Sequence, residues 1–293
     1  MTAVALVGTG RMGSAMARSL TRAGLPLIVH NRTRARAAAL AEEVGARLAT
    51  SAAEAASQAD VVLTMLADDA AVIAVYGGSD GLLAGARKGS VLVDLSTVTP
   101  DTLRGLEPAA GSAGVGLLDA PVSGSIALAE AGQLTLMVGG AADDLEYARS
   151  ALEPLAKAIV HVGPLGSGAA MKLAVNTVIF GLNEALAEGL VLAESAGIDR
   201  SLAYGVIAES AAGAPFVGYK RAAFVEPEST PTAFALDLAE KDLRLIATLA
   251  ASLGVPMPQA RTNLDVVRAA AVALGGGTDF AAVAGHLRSM REH

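Results

Sequence analysis

Several short stretches of this 293-residue chain combine residue types and spacings that could do chemistry. The first is Gly8-Thr9-Gly10-Arg11-Met12-Gly13, a G-x-G-x-x-G run directly after the apolar Val4-Ala5-Leu6-Val7. Gly8 allows a tight turn, Gly10 lets a pyrophosphate approach the backbone, and Gly13 lets a helix pack closely on a sheet. The phosphates would sit at a helix N-terminus, where N–H groups and the dipole favour anions. Further on, Val29-His30-Asn31-Arg32-Thr33-Arg34 lacks the Asp or Glu that binds adenosine ribose hydroxyls. Instead Arg32, Arg34 and Arg36 gather where a 2′-phosphate would lie. Thr33 is the expected N-cap of the next helix. Arg34 and Arg36 then fall in its first turn, with Glu42 and Glu43 near its end, and both placements oppose the helix dipole. That favours an anion site and NADP (NADPH) over NAD as the dinucleotide. His30, which closes an apolar run, reads as structural.

Two further stretches suggest acid–base work on a small anion. Only five of the 22 basic residues are lysine, at positions 88, 157, 172, 220 and 241. Arginine cannot replace lysine where a proton must leave. Lys172 and Asn176 are four apart, so they share one helix face. Met171 and Val175 beside them suggest apolar surroundings, which lower a lysine pKa toward a catalytically useful range. A snorkelling lysine is the plainer alternative, weakened because a cation is unfavourable in a helix's first turn. Ser123-Gly124-Ser125, after Asp119-Ala120-Pro121-Val122, offers two hydroxyls and backbone N–H groups suited to a small carboxylate, although such a turn is common. Lys241, in Phe234–Leu243, reads by itself as a solvated charge. Lys88, Lys157 and Lys220 read as compositional drift.

Composition narrows the classes. The chain has 29 Asp+Glu against 22 Lys+Arg, a formal net charge of −7, which argues against a nucleic-acid partner bound through a basic face. It has no Cys, which excludes disulfides, thiolate metal sites and a Cys nucleophile; no metal is expected. Aromatics make up 3% of the chain, so Ala, Leu and Val must fill its core. No basic segment followed by an apolar run opens the sequence, and no charge-free apolar run reaches the ~18 residues of a membrane helix. The expectation is a cytoplasmic protein with no membrane partner.

The elements that must position these residues come in two sets. Val4–Val7, Pro26–His30, Asp60–Leu66, Ser90–Leu95, Gly116–Ala120, Leu134–Val138 and Ala158–Val162 read as strands. Helices over Met12–Ala23, Arg34–Val44 and from Pro100 as far as Ala109 alternate with them. This alternation predicts a mainly parallel sheet covered on both faces. After Gly163-Pro164 nearly everything is helical: Gly168–Ala196, Arg200–Ser210, Leu236–Leu253, Pro258–Leu274 and Phe280–Arg291, with a break at Gly213-Ala214-Pro215. A domain boundary is expected near residue 163, giving domains 1–163 and 164–293.

Taken together, Gly8–Gly13, Asp94-Leu95-Ser96-Thr97, Asp119–Gly124, Gly166–Asn176 and Lys241-Asp242-Leu243 resemble the β-hydroxyacid dehydrogenase family, 3-hydroxyisobutyrate dehydrogenase and its relatives, over essentially the whole chain. Ser125 departs from the Gly that much of the family carries there. With Ala129–Leu134, Asn31-Arg32-Thr33 and Glu188–Ala193 it is more similar to the NADPH-dependent glyoxylate and succinic semialdehyde reductase branch. The resemblance implies an α/β fold, with an N-terminal Rossmann-type, NADP-binding domain, a long interdomain helix and an all-α C-terminal domain for substrate and dimerisation. It implies interconversion of a small 2-, 3- or 4-hydroxy acid and its aldehyde or keto acid, with Lys172 as catalytic acid/base. Ser123, Gly124, Ser125, Asn176 and Lys241 would bind the carboxylate-bearing substrate. Gly8, Thr9, Gly10, Arg11, Met12, Asn31, Arg32, Thr33, Leu66, Ala67, Thr97 and Lys241 would bind the cofactor. A homodimer or homotetramer is implied, and the apolar long helix suggests the buried face. Imine reductases share the fold and an Asn-Arg-Thr segment but generally lack the lysine at position 172. A non-catalytic oligomerising module would need neither that lysine nor the glycine loop.

Overall fold

The computed structural model describes residues 2–290. Met1 and Arg291, the latter the expected end of the last helix, lie outside the described residues. The chain divides between Lys172 and Leu173 into two compact units.

Among the described residues of the first unit, nine strands form one sheet: β1 Val4–Val7, β2 Leu27–His30, β3 Arg47–Leu48, β4 Val61–Thr64, β5 Val91–Asp94, β6 Gly116–Asp119, β7 Val122–Ser123, β8 Leu134–Gly139 and β9 Ala156–Gly163. Their order is β3-β2-β1-β4-β5-β6-β8-β7, with β9 also beside β8. Pairing is parallel from β3 through β6, while β8 runs antiparallel to β6 and β7. Side chains alternate across a strand. Val4 and Leu6 therefore enter one apolar core, and Ala5 and Val7 enter the other. Burial on both faces is what continuous apolar runs such as Val61-Val62-Leu63 require.

The strands lie within a residue or two of their sequence expectations, but several elements were not foreseen. Helices Ala52–Ser57, Asp69–Tyr76 and Ile126–Glu130 and the two-residue strands β3 and β7 fall in stretches too short to show a clear period, whereas Ala142–Leu152 does carry one, burying Leu145, Ala148, Ala151 and Leu152 on a single face. The helix from Pro100 runs through Pro108 to Ala113 and ends at Gly114, whose φ is +69°. Pro108 is exposed, so water can satisfy the carbonyl it leaves unpaired.

The long helix, Ser167–Ser195, is apolar and long enough to cross a bilayer by length and composition alone. Leu173, Phe180, Leu186, Ala187 and Leu190 along it are instead core residues of the second unit. That unit also contains Arg200–Glu209, Pro215–Val225, Leu236–Leu253, Pro258–Leu274 and Val283–Ser289. The sequence marks Gly213-Ala214-Pro215 only as a break. Pro215 in fact opens a helix, as proline does in a first turn, where its missing N–H costs nothing. Phe280 packs edge-on to Phe180 at 5.2 Å between ring centroids, and Phe234 joins them. Lys220 is not drift: it is 4% exposed, and its Nζ donates to Asp279 Oδ1 at 2.7 Å.

Candidate functional site

Strand register places a row of residues along the carboxyl edge of the sheet. His30, Val7, Thr64, Asp94 and Asp119 are successive partners across β2, β1, β4, β5 and β6, and Gly139 of β8 faces Asp119. Open α/β sheets bind ligands at this edge.

The glycine loop lies beside β1 in the form that a dinucleotide needs. Gly8 has φ +100°, and a Cβ there would sit 2.3 Å from the Met65 carbonyl oxygen. A Cβ on Gly13 would meet the Gly8 carbonyl oxygen at 2.0 Å, whereas one on Gly10 would meet nothing within 4 Å. Two glycines are thus required by packing, and the third leaves open space at the start of the helix Arg11–Arg22. Gly10 caps that helix without a side-chain bond, and Arg11 and Met12 form its first turn. The Thr9 N–H donates to Asn31 Oδ1 at 3.2 Å, which ties the loop to the end of β2. Thr9 Oγ1 is buried with no hydrogen-bond partner. The cleft over this loop has a volume of about 910 Å³ and is lined by Gly8, Gly10, Asn31, Arg32, Thr33, Leu66 and Ala67 among others. Its size suits a large organic ligand. An open helix N-terminus, a buried hydroxyl left to pair and a cleft of this size all fit a nicotinamide dinucleotide.

Arg32 and Arg36 line this cleft, as does His30, whose Nδ1 lies 3.3 Å from the Ala49 carbonyl oxygen. Thr33 occupies the N-cap position, but its side chain makes no cap hydrogen bond. Asn31 Nδ2 donates to the Thr33 carbonyl instead. The dipole argument holds only at the arginine end of that helix. Glu43, at the other end, pairs with Arg18 at 2.6 Å, and that contact accounts for its position.

Ser123 lies on β7, paired with Thr135 of β8. Gly124 has φ +144°, and a Cβ there would press on Leu134 at 2.7 Å, so only glycine fits. Ser125 caps the helix Ile126–Glu130: its Oγ accepts the Leu128 N–H at 3.3 Å. Its hydroxyl proton is still available to a ligand.

Lys172 is half-buried and is the sixth residue of the long helix, beyond its first turn. Met171 is 41% exposed, so it does not supply the apolar jacket expected from the sequence. The helix start is held by Asp119, whose Oδ1 accepts the Gly166 N–H at 2.8 Å and Oδ2 the Ala169 N–H at 2.6 Å. Burial pushes the Asp119 carboxyl above its ordinary pKa, and those amide donors pull it back in part. Close approach is possible because residues 139 and 168 are glycine. A Cβ on Gly168 would lie 2.2 Å from the Met137 carbonyl oxygen. Asp119 thus positions the backbone three residues before Lys172.

Within the second unit, Asn176 is 6% exposed, and its Nδ2 donates to Asp242 Oδ2 at 2.8 Å. Lys241 Nζ lies 3.0 Å from Asp242 Oδ1. A carboxylate only accepts, so Asp242 fixes which end of the Asn176 amide faces it. Thr97 follows β5 and is half-buried. Asp94, Asp119 and Asp242 received no role from the sequence. For the first two, the available signal was an acid closing an otherwise apolar strand.

The chain is similar to known proteins over nearly its whole length. A family model described as the NAD binding domain of 6-phosphogluconate dehydrogenase matches residues 3–163. A second, described as the NAD-binding of NADP-dependent 3-hydroxyisobutyrate dehydrogenase, matches residues 166–287. Glyoxylate/succinic semialdehyde reductase 2 of Arabidopsis thaliana is 33% identical over 98% of this chain and 80% of its own length. The solved structure of Mycobacterium tuberculosis 3-hydroxyisobutyrate dehydrogenase with L-serine is 33% identical, covers 98% of this chain and 99% of that one, and superposes with a TM-score of 0.87. An imine reductase from Pseudomonas sp. shares the fold at 23% identity and a TM-score of 0.65, over 98% of this chain and 99% of its own.

Proposed function

Since the chain belongs to the β-hydroxyacid dehydrogenase family, nicotinamide-dependent oxidoreductases acting on CH–OH groups, we propose that it interconverts a small hydroxy acid and its aldehyde or keto acid, using NADP(H). Lys172 serves as general acid/base. What carries this reading is Lys172 itself: a lysine on a helix whose start Asp119 pins to the carboxyl edge of the sheet, one turn before Asn176.

The bound cofactor supplies or takes up the hydride. The residues of the chain do the rest. The backbone at Gly8, Gly10, Arg11 and Met12, with Thr9, Leu66, Ala67 and Thr97, holds the dinucleotide. Arg32, with Asn31 and Thr33 on either side, takes the 2′-phosphate, and Arg36 adds a second guanidinium from the cleft wall. Ser123, Gly124 and Ser125 bind the substrate carboxylate through N–H and O–H donors. Asn176 and Lys241 bind the substrate, and Lys241 also binds the cofactor. In reduction, Lys172 Nζ protonates the carbonyl oxygen as negative charge develops there; in oxidation it takes up the hydroxyl proton.

A panel of glyoxylate, succinic semialdehyde, 3-hydroxyisobutyrate and a cyclic imine, followed at 340 nm with both cofactors, tests the reading. Turnover of at least one carboxylate substrate is expected, with a lower KM for NADPH than for NADH. A clear NADH preference would sink the 2′-phosphate assignment, and imine reduction without carbonyl reduction would sink the substrate class.

A second copy of the chain is the proposed partner. Met171, Val178 and Leu192 recur at multiples of seven along the long helix and are 41%, 63% and 73% exposed. Such an apolar line suits helix-to-helix burial. Light scattering should give a dimer or tetramer mass, and Val178→Glu with Leu192→Glu should lower it. A wild-type monomer at micromolar concentration would refute the partner.

A further inference from the structure

We propose that Asp94 is a positioning residue for the nucleotide cleft: through Ser96 and Thr64 it holds the Leu66 backbone and the helix Asp69–Tyr76 in the places where they wall it. The inference rests on the nicotinamide reading only for the identity of what the cleft binds.

The geometry is a one-way hydrogen-bond chain. Asp94 is 1% exposed at the end of β5, level with Thr64 at the end of β4. Thr64 Oγ1 donates to Asp94 Oδ2 at 2.5 Å. Its single proton is then spent, so in the contact of 3.1 Å between them it is Tyr76 O–H that donates to Thr64 Oγ1. On the other side, Ser96 N–H donates to Asp94 Oδ1 at 3.0 Å and Ser96 Oγ donates to Oδ2 at 3.2 Å. Ser96 Oγ is left to accept, and it accepts the Leu66 N–H at 2.9 Å. Leu66 lines the cleft, and so do Ala70, Ala71, Ala74 and Val75 of the helix that ends at Tyr76. An acceptor-only group at the centre therefore sets the sense of every bond out to two separate walls.

Stability does not account for this carboxylate. Burial pushes Asp94 up to about 6, against the pull of Thr64 and Ser96, and the neighbouring Asp119 charge pushes the same way. A carboxyl whose folded pKa is raised stabilises the fold when protonated, and that contribution is lost as pH rises through about 6. Near pH 7 the ionised form is carried at a cost to the fold. Its effect is directional, because an acid or an amide at this place would present a donor toward one of the N–H or O–H groups. In the Asp94→Asn variant, whichever way the amide lies, a donor replaces an acceptor: either the Ser96 N–H loses its partner, or the Thr64 and Ser96 hydroxyls face an N–H and must turn their protons away, which loosens the hold of Ser96 on the Leu66 N–H.

The test compares wild type with Asp94→Asn and Ser96→Ala, the second being the milder change should the first not fold. Amide hydrogen exchange at Leu66 is measured without nucleotide, and NADP⁺ affinity by calorimetry at pH 7.5. Exchange at Leu66 should rise about tenfold and the NADP⁺ Kd should weaken about tenfold, as loss of one hydrogen bond implies. Wild-type affinity for NAD⁺, which carries no 2′-phosphate to titrate in the same range, should fall as pH drops through about 6, with no such step in Asp94→Asn. A folded variant with unchanged Leu66 exchange, or with NADP⁺ affinity within twofold of wild type, overturns the proposal. Failure of the wild type to bind either nucleotide overturns the nicotinamide reading instead, and the Leu66 exchange then decides the positioning role by itself.

Discussion

Replacing Lys172 by alanine is expected to lower kcat by about 10²–10⁴-fold, the usual worth of a positioned general acid. NADPH affinity should stay nearly intact, because the cleft that takes the dinucleotide is lined by Gly8, Gly10, Arg32, Leu66 and their neighbours rather than by Lys172. Lys172→Arg should fail as well: the guanidinium keeps the charge but releases no proton at neutral pH. The pair of variants separates proton transfer from simple charge, since an anion-binding role alone would be rescued by arginine. Steady-state kinetics with a semialdehyde substrate, together with NADPH titration, checks this. Near-normal turnover in Lys172→Ala would refute the assignment. A loss of NADPH binding equal to the loss in kcat would point to damage at the helix start held by Asp119.

Lys220→Ala should cost about 3–5 kcal/mol of folding stability, the cost of leaving a buried charge without its partner. Asp279 would be that charge. It accepts from Lys220 Nζ at 2.7 Å and also from the N–H groups of Ala233 at 2.8 Å, Phe234 at 3.2 Å and Ala281 at 2.9 Å. Those amides would remain, so the carboxylate could not simply be given up. Burial pushes Asp279 up, but the Lys220 charge and hydrogen bond and the amide donors outweigh it and hold it below its ordinary value. A carboxyl with a depressed folded pKa stabilises above its unfolded pKa, and that contribution is lost as pH falls through the folded value. Without Lys220 the upward push of burial is less opposed, so the variant should begin to unfold at a higher pH than wild type. Urea melts across pH 3–7 measure both effects. A midpoint unchanged at pH 7 would show that the pair contributes nothing to stability.

The local code of the chain was legible where a signal repeats or is chemically restrictive. Gly8 and Gly13 admit no side chain, and helices Leu236–Leu253 and Pro258–Leu274 follow their expected bounds because eighteen and seventeen residues carry a clear 3.6-residue period. Four- to six-residue helices and two-residue strands carry no such period; their neighbours hold them in shape. The dinucleotide loop and the long helix bearing Lys172 and Asn176 are therefore legible in the sequence itself. The partners of the polar residues were not. Thr64 meets Asp94 across 30 positions, Gly166 meets Asp119 across 47, Lys220 meets Asp279 across 59, and Asn176 meets Asp242 across 66. A sequence shows which residues can accept or donate. Which ones meet is decided by strand register and helix packing. Burial then fixes the outcome, because a polar group removed from water must find its partner wherever the fold has brought one.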